Sequence, residues 1–183
     1  MNKIISHYNK GFTMVETLVA VAILMISIAG PLTIANKGLT AAIYAKDQVI
    51  ASFLAQDAME YVKNMRDNNA NTDISNWLTA PKDLFSCTNT SKCTIDTTNI
   101  SNPIASIGSS ACTERLCVLY DDFQNKKYTM NSASPGVKSK FNRSFYISSV
   151  SSDEATVIVE VTWINGSVNN KVTLQSEIFK ILR

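Results

Sequence analysis

The chain has 183 residues, a length that suits one domain of ordinary size with an appended segment. Hydrophobic residues make up 45% and charged residues 17%, a balance too apolar and too lightly charged for a chain that is disordered throughout. The chain has 17 Lys and Arg against 15 Asp and Glu, and the two counts become equal without Lys3 and Lys10. Because no run of basic residues occurs either, no nucleic-acid partner is predicted.

A short basic segment opens the chain and an apolar run follows it. Residues 1–11 contain two lysines and no acid, and their apolar pair is too short for the core of a secretory signal. The 18 uncharged residues from Leu18 to Ala35 would span about 27 Å as a helix, close to the hydrocarbon thickness of a bilayer. We expect a membrane-spanning helix with the basic segment on the cytoplasmic side. A buried soluble helix is the alternative, because Gly30-Pro31 interrupts the run.

Glu16 is a lone carboxylate beside this span, where a charge is costly unless it faces a partner or the interface. The string Gly11-Phe12-Thr13-Met14-Val15-Glu16-Thr17-Leu18 resembles the type IV prepilin signature: a basic leader, a Gly-Phe junction, a Glu fifth in the mature chain and an apolar helix. The resemblance implies that a membrane-embedded prepilin peptidase removes residues 1–11 by cutting between Gly11 and Phe12, and then methylates the amine of Phe12. It makes residues 12–35 the transmembrane and assembly helix.

The same resemblance implies an assembly role for Glu16. Cleavage leaves a positive amine on Phe12, and burying that amine in a helix bundle without a counter-charge would be costly. Glu16 would supply the opposite charge to the amine of a neighbouring subunit. The simpler interpretation is that Glu16 complements its own helix dipole, which is worth at most about 1 kcal/mol.

Residues 36–68 are predicted to continue as an amphipathic helix of the folded domain, after a kink or local unwinding at Gly30-Pro31. The predicted apolar face consists of Leu39, Ile43, Ile50, Phe53, Leu54, Ala58, Val62 and Met65. Residues 54–68 resemble a stretch of PilV-like minor pilins and of the I-type pseudopilins of type II secretion, with Lys63 where Arg is more usual.

Residues 69–142 are rich in Asn, Ser and Thr, and we expect a variable surface region with short strands at 116–120 and 127–130. All four cysteines lie here, in two local couples: Cys87 with Cys93, and Cys112 with Cys117. Zinc ligands usually stand two to four residues apart, whereas an even number of cysteines in an exported region favours disulfides. Pairing within each couple is the simplest of the three connectivities, and the sequence alone does not choose among them.

Residues 143–183 alternate as strands do, with strands predicted at 144–150, 155–164 and 171–182. In the middle strand, Val157, Val159, Val161 and Trp163 form one face. Asn165-Gly166 indicates a turn, within a loop longer than a minimal hairpin. These strands resemble the terminal strands of PilV-like pilins, so the fold class is α+β: a pilin fold, with a long N-terminal helix on an antiparallel sheet.

Catalysis is not predicted, because the one histidine, His7, lies in the segment to be removed, and no phosphate-binding loop occurs. Asp121-Asp122 is expected to form a solvated turn and not a Ca²⁺ site, and no metal or cofactor is expected. The resemblance implies a minor type IV pilin or pseudopilin in the inner membrane, with its C-terminal domain outside the cytoplasm. Its partners would be other pilin subunits, the prepilin peptidase, the inner-membrane assembly platform and membrane lipid.

The alternative is an adhesin-like or DNA-uptake pilin that binds a surface or ligand through its disulfide-bearing region. The sequence does not distinguish a pilus from a secretion pseudopilus or a competence filament, because these share the same N-terminus.

Overall fold

The computed structural model describes residues 11–72, 76–79, 83–99, 104–108, 117–122, 124–130 and 136–180. Within these residues, one long helix precedes seven strands in an α+β arrangement, as predicted. The elements are α1 (Met14–Thr72), β1 (Lys92–Ile95), β2 (Ile104–Gly108), β3 (Val118–Asp122), β4 (Lys127–Thr129), β5 (Val137–Val150), β6 (Glu154–Asn165) and β7 (Val168–Phe179). The chain divides into two compact units, Met1–Ala45 and Lys46–Arg183.

In the first unit, α1 runs unbroken through Pro31, so the local unwinding expected there does not occur. A proline removes one backbone hydrogen bond, while its helical neighbours keep theirs. Two hydroxyls nearby bond to backbone carbonyls: Ser27 Oγ donates to Leu24 O at 2.8 Å, and Thr33 Oγ1 donates to Ala29 O at 2.9 Å.

β5 is the central strand of the sheet in the second unit. β6 pairs along one side of it, and β3 and β1 pair with successive parts of the other side. β2 adds to β1, β4 adds to β3 and β7 adds to β6, and each of these pairings is antiparallel. The order leaves β7 at one edge of the sheet.

Two predicted strands begin earlier than the alternation indicated. β5 begins at Val137 and not at residue 144, and β7 begins at Val168 and not at residue 171. Asn165 pairs directly with Val168, so the connecting loop has only two residues and is a minimal hairpin, contrary to our expectation. Gly166 has a φ of 62°, the left-handed conformation that such two-residue turns need.

The hydrophobic core lies between α1 and one face of the sheet. The middle strand contributes the predicted face, and Val157, Val159, Val161 and Trp163 are all buried. On α1 the buried residues are Ala51, Leu54, Ala55, Ala58, Met59, Val62 and Met65. Three residues of the predicted apolar face are exposed instead: Leu39 at 63%, Ile43 at 43% and Phe53 at 65%. The prediction was wrong for them because periodicity alone does not show which part of a long helix has a sheet to cover it.

The polar middle region is more than a surface region. Its buried members in the core cluster include Trp77, Leu78, Leu84, Cys87, Cys93, Ile95 and Leu119. Asp122 is also buried and accepts hydrogen bonds from the backbone N–H groups of Gln124 and Asn125, both at 3.1 Å. The prediction that Asp121-Asp122 forms a solvated turn is therefore wrong. These two residues end β3, and the buried carboxylate of Asp122 stabilises the turn between β3 and β4.

Candidate assembly site

α1 begins at Met14, the second residue after the Gly11-Phe12 junction. Thr13 precedes the first helical residue, and its Oγ1 accepts a hydrogen bond from the backbone N–H of Glu16 at 3.3 Å. This bond satisfies one of the N–H groups that a helix start leaves without a partner. Thr13 to Glu16 has the Thr-x-x-Glu spacing of a capping box, a signal that our reading of the sequence missed.

The predicted processing and docking residues are exposed at this end of the helix. Gly11 and Phe12 belong to neither helix nor strand, and the side chain of Phe12 is 79% exposed. Glu16 lies in the first turn of α1, where a negative side chain complements the helix dipole. The structure therefore presents the junction and the carboxylate within one turn of each other along the chain.

The part of α1 in the first unit has an apolar surface that no described part of the chain covers. Its most apolar 18-residue window has a mean hydropathy of 2.4 and no buried residue, so the helix is long and apolar enough to cross a membrane. The exposed large side chains there include Leu18, Val19, Ile23, Leu24, Met25, Ile26, Ile28, Leu32 and Ile34. An exposed apolar surface of this size is typical of a membrane or protein interaction site.

The hydroxyl groups on this helix do not oppose insertion. Thr17 Oγ1 donates to Met14 O at 2.8 Å and Thr40 Oγ1 donates to Asn36 O at 3.0 Å, as Ser27 and Thr33 do to their own preceding turns. Each hydroxyl proton thus has an acceptor on its own helix. Glu16 is left as the only ionisable side chain from residue 11 to residue 36.

In the second unit, the side chain of Arg143 forms hydrogen bonds that connect α1 to the sheet. Its side chain has no exposed surface, and Nη1 donates to Leu54 O at 3.0 Å and to Asp57 Oδ2 at 2.8 Å. Nη2 donates to Ile95 O at 2.8 Å, so one guanidinium joins α1, β1 and β5. Burial lowers the pKa of Arg143 and the carboxylate of Asp57 opposes that effect, which leaves the group charged at physiological pH.

A second ion pair ties the beginning of this part of α1 to the sheet. Asp47 is only 3% exposed, although a charged residue is expected on the solvent side of an amphipathic helix. Its Oδ2 accepts hydrogen bonds from Lys140 Nζ at 2.5 Å and from Asn165 Nδ2 at 3.2 Å. Neither partner could be identified from the sequence, because both lie more than 90 residues away along the chain.

On the opposite face of the sheet, Glu160 binds two lysines. It accepts a hydrogen bond from Lys92, and Lys171 Nζ lies 3.1 Å from its other carboxylate oxygen. Lys92 Nζ also lies 4.8 Å from the centre of the Tyr146 ring. Burial raises the pKa of Glu160, but the hydrogen bonds and charges of the two lysines outweigh burial and lower its pKa below the ordinary value.

A disulfide joins Cys87 and Cys93, with 5.3 Å between their Cα atoms and both residues fully buried. Cys117 is disulfide-bonded as well, and Cys112 lies outside the described residues. Across the part of the chain that the structure describes, no group of three or more His, Cys, Asp or Glu could hold a metal ion.

Comparison with known proteins identifies the N-terminal segment and nothing else. The family described as the prokaryotic N-terminal methylation motif matches residues 6–30, which include the junction, Glu16 and most of the apolar run. Searches among curated proteins and among solved structures found no match. The N-terminal part of this chain therefore carries the prokaryotic N-terminal methylation motif, which is typical of type IV prepilin-like proteins.

Proposed function

We propose that this chain is a minor type IV pilin or a pseudopilin, a structural subunit that enters or primes a filament through α1 after its leader is removed. One observation carries the proposal. An exposed Gly11-Phe12 junction, a carboxylate in the first helical turn and an uncovered apolar helix follow one another in the register of the methylation motif. The uncovered apolar helix is unfavourable in an isolated soluble protein, and assembly in a membrane or filament gives all three features a use.

Processing is the first step of this proposal. The junction is exposed and outside the helix, so a peptidase can reach the peptide bond between Gly11 and Phe12 without unwinding α1. Cleavage would place the new amine on Phe12, directly before the Thr13 cap, where methylation can follow. The substrate role of Gly11 is recognition, since a residue without a Cβ allows close approach to its backbone.

Membrane residence is the second step. α1 would cross the inner membrane, with the second unit on the extracytoplasmic side, where the disulfide between Cys87 and Cys93 can persist. Lipid would cover the apolar surface before assembly, and the helices of other pilin subunits would cover it afterwards. Glu16 would then contact the Phe12 amine of a neighbouring subunit. The inner-membrane assembly platform would bring the two subunits together.

The minor-pilin assignment rests on the resemblance of residues 54–68. In the structure this stretch supplies Leu54, Ala55, Ala58 and Met59 to the core, so it stabilises the domain that the filament would display. The adhesin alternative assigned binding to the disulfide-bearing region. Cys87 and Cys93 are fully buried in the same core, which gives this disulfide a structural role and favours the assembly function.

Mass spectrometry of the membrane-extracted protein tests the proposal. Cells with an active prepilin peptidase should yield a chain that starts at N-methylated Phe12, and cells without the peptidase should yield one that starts at Met1. Gly11→Leu should retain its leader. Gly30→Ala is the matched control and should be processed normally, because a Cβ at residue 30 meets no atom within 4 Å. A wild-type chain that still begins at Met1 beside an active peptidase would refute the proposal.

A further inference from the structure

The outer edge of β7 is long and regular. β7 pairs with β6 over all of its 12 residues, from Asn165↔Val168 to Glu154↔Phe179, without a shift of register. Within the residues that the structure describes, β6 is the only strand that pairs with β7. The second side of β7 therefore presents its backbone groups outwards.

The hairpin determines which backbone groups these are. A two-residue turn makes Asn165 and Val168 a hydrogen-bonded pair, and such pairs recur at every second residue of an antiparallel ladder. The even-numbered residues of β7 therefore bond to β6. The N–H and C=O groups that point outwards belong to Asn169, Lys171, Thr173, Gln175, Glu177 and Phe179, and the side chains of all six are exposed. Of these groups, the C=O of Phe179 already accepts a hydrogen bond from Arg66 Nη1 at 3.3 Å, so the other five residues form the available edge.

This edge has little of the usual protection against pairing. Natural sheets shield their edges with lysine and other charged side chains, with proline, with bulges, with very short strands or with charges that point inwards, and of these the outward residues of β7 include Lys171 and Glu177. β7 contains no proline and no bulge, and it is longer than an average strand. Its inward side carries no charge, and Val172, Leu174 and Ile178 on that side are packed on or buried in the core.

Charge on the outward residues indicates what would fit. Lys171 and Glu177 stand six residues apart on the same face, and the side chain of Lys171 is 54% exposed. Glu160 forms ion pairs with both Lys171 and Lys92. Lys171 can therefore bind an acidic residue of a partner while Glu160 stays paired with Lys92. Opposite charges directly across a strand pair stabilise it, and like charges destabilise it.

We propose that the edge of β7 is a β-augmentation site, which adds an extended segment of a partner protein to the sheet in the antiparallel direction. The segment carries an acidic residue opposite Lys171 and a basic residue opposite Glu177, with polar residues between them. Its backbone supplies affinity, and the two charges supply register. This interface is additional to the contacts that α1 makes in assembly.

A partner is favoured over a second copy of this chain for a geometric reason. Antiparallel pairing of two β7 strands places a twofold axis perpendicular to the sheet, and α1 packs on one face of that sheet. The axis would point the two α1 helices in opposite directions, which two subunits anchored in one membrane cannot adopt. This choice of occupant rests on the proposed membrane anchoring. The observation that β7 has a free edge within the described residues does not depend on that proposal.

The strand's own sequence supplies a probe of the right chemistry. A free peptide with the sequence of residues 168–180 can pair antiparallel with β7, centred on Leu174. In that register its glutamate faces Lys171 and the first of its two lysines faces Glu177. We expect the fluorescein-labelled peptide to bind the mature full chain in detergent, as a rise in anisotropy, and a scrambled peptide not to bind. Amide hydrogen exchange should slow at Thr173 and Gln175.

Two variants and a control complete the test. Thr173→Pro removes an outward N–H that β6 does not use, so the fold should persist by circular dichroism while binding is lost. Glu177→Lys should weaken binding about tenfold, and a peptide whose first lysine is replaced by glutamate should restore it. Glu60→Lys, the same charge change on an exposed position of α1, should bind as wild type does.

Three results would overturn the proposal. One is equal binding of the native and scrambled peptides, and another is binding that Glu177→Lys leaves unchanged. The third is dimerisation of the mature chain without peptide, seen by light scattering and abolished by Thr173→Pro, which would make a second copy the occupant. None of these results depends on whether the leader is cleaved in cells, so they are distinguishable from a failure of the proposed function.

Discussion

The guanidinium of Arg143, which has no exposed surface, lies 2.8 Å from the carboxylate of Asp57, whose side chain is 51% exposed. The two partners therefore contribute unequally. Asp57 also accepts a hydrogen bond from Thr97 Oγ1 at 2.7 Å and reaches solvent, whereas Arg143 has only protein around it. The fork of Arg143, which bonds carbonyls on α1 and β1 at once, should matter more to stability than the ion pair does.

Arg143→Lys should lower the free energy of unfolding by about 2 to 5 kcal/mol. A single ammonium cannot reproduce the fork to Leu54 O and Ile95 O, so a buried carbonyl loses its partner. Asp57→Asn should cost less, about 1 to 2 kcal/mol, because the amide oxygen can still accept the bond from Arg143 and water can solvate this half-exposed position. Urea unfolding of the mature protein in detergent, followed by the fluorescence of buried Trp163, measures both changes.

Arg66→Lys is the matched control for that experiment. Arg66 is bonded to its sequence neighbour Asp67 and to Phe179 O, and it keeps some contact with solvent. The loss should stay below about 1 kcal/mol, within the range of surface pairs. Equal losses for Arg66→Lys and Arg143→Lys would show that the buried fork has no special weight.

Acid should remove the stabilisation that Glu160 provides. Burial raises the pKa of Glu160, but Lys92 and Lys171 lower the pKa by more than burial raises it. The folded-state pKa therefore lies below the unfolded value of about 4.3. A carboxylate of this kind stabilises the fold above the unfolded pKa, and the contribution is lost as pH falls through the folded pKa. The stability difference between wild type and Glu160→Gln, on the order of 1 kcal/mol at pH 7, should shrink below about pH 4.

Glu154→Gln, at an exposed position of the same strand, provides the reference for that titration. Its effect should stay within about 0.5 kcal/mol at every pH, since exposed substitutions away from special contacts are nearly neutral. A difference between wild type and Glu160→Gln that stays constant from pH 7 to acid would mean that the two lysines do not stabilise the ionised form.

The buried disulfide should resist reduction while the domain is folded. Cys87 and Cys93 have no exposed surface, so dithiothreitol should open this bond only when urea is present. Replacing both by alanine should cost about 2 kcal/mol, the value for closing so short a loop. Differential alkylation and mass spectrometry measure both effects, and the same digests should show Cys112 linked to Cys117. Four free thiols, or stoichiometric zinc, in native protein would contradict this prediction.

The sequence predicted those parts of the molecule where a local pattern is enough. The apolar run of α1 and the alternation of Val157, Val159 and Val161 report their environments directly, because burial follows a fixed period in each element. The fold class could be predicted for the same reason. The junction and Glu16 were found through a motif whose residues lie within a few positions of one another.

The remainder depends on contacts between distant residues. The short strands β1 and β2 have no alternation long enough to detect, and β1 gains its burial from the core that it shares with α1 and β5. Asp47 and Arg143 resemble surface residues in sequence and become buried because each meets a partner far along the chain. Leu39 and Ile43 show the converse case, since an apolar stripe on a helix does not reveal whether its cover comes from the same chain.

The last prediction concerns Glu16, for which two roles make different demands. As part of its own helix start, Glu16 contributes its backbone N–H to the Thr13 cap and its charge to the dipole. As a docking residue, it contributes its charge to the amine of a neighbouring Phe12. Thr13→Ala removes the cap and keeps the charge, whereas Glu16→Gln removes the charge and keeps the capped N–H.

Glu16→Gln should therefore be cleaved and retained in the membrane, yet be depleted from sheared filaments. A dipole contact alone is worth under about 1 kcal/mol, which assembly could absorb. An unpaired amine buried among helices costs roughly 3 to 5 kcal/mol, which assembly could not. Thr13→Ala loses about 1 kcal/mol of helix stability and should reach filaments at near wild-type levels, after correction for the processed fraction measured by mass spectrometry. Wild-type amounts of Glu16→Gln in filaments would show that this carboxylate is not the docking contact. Depletion of both variants alike would show that the start of α1, and not the charge of Glu16, is what assembly requires.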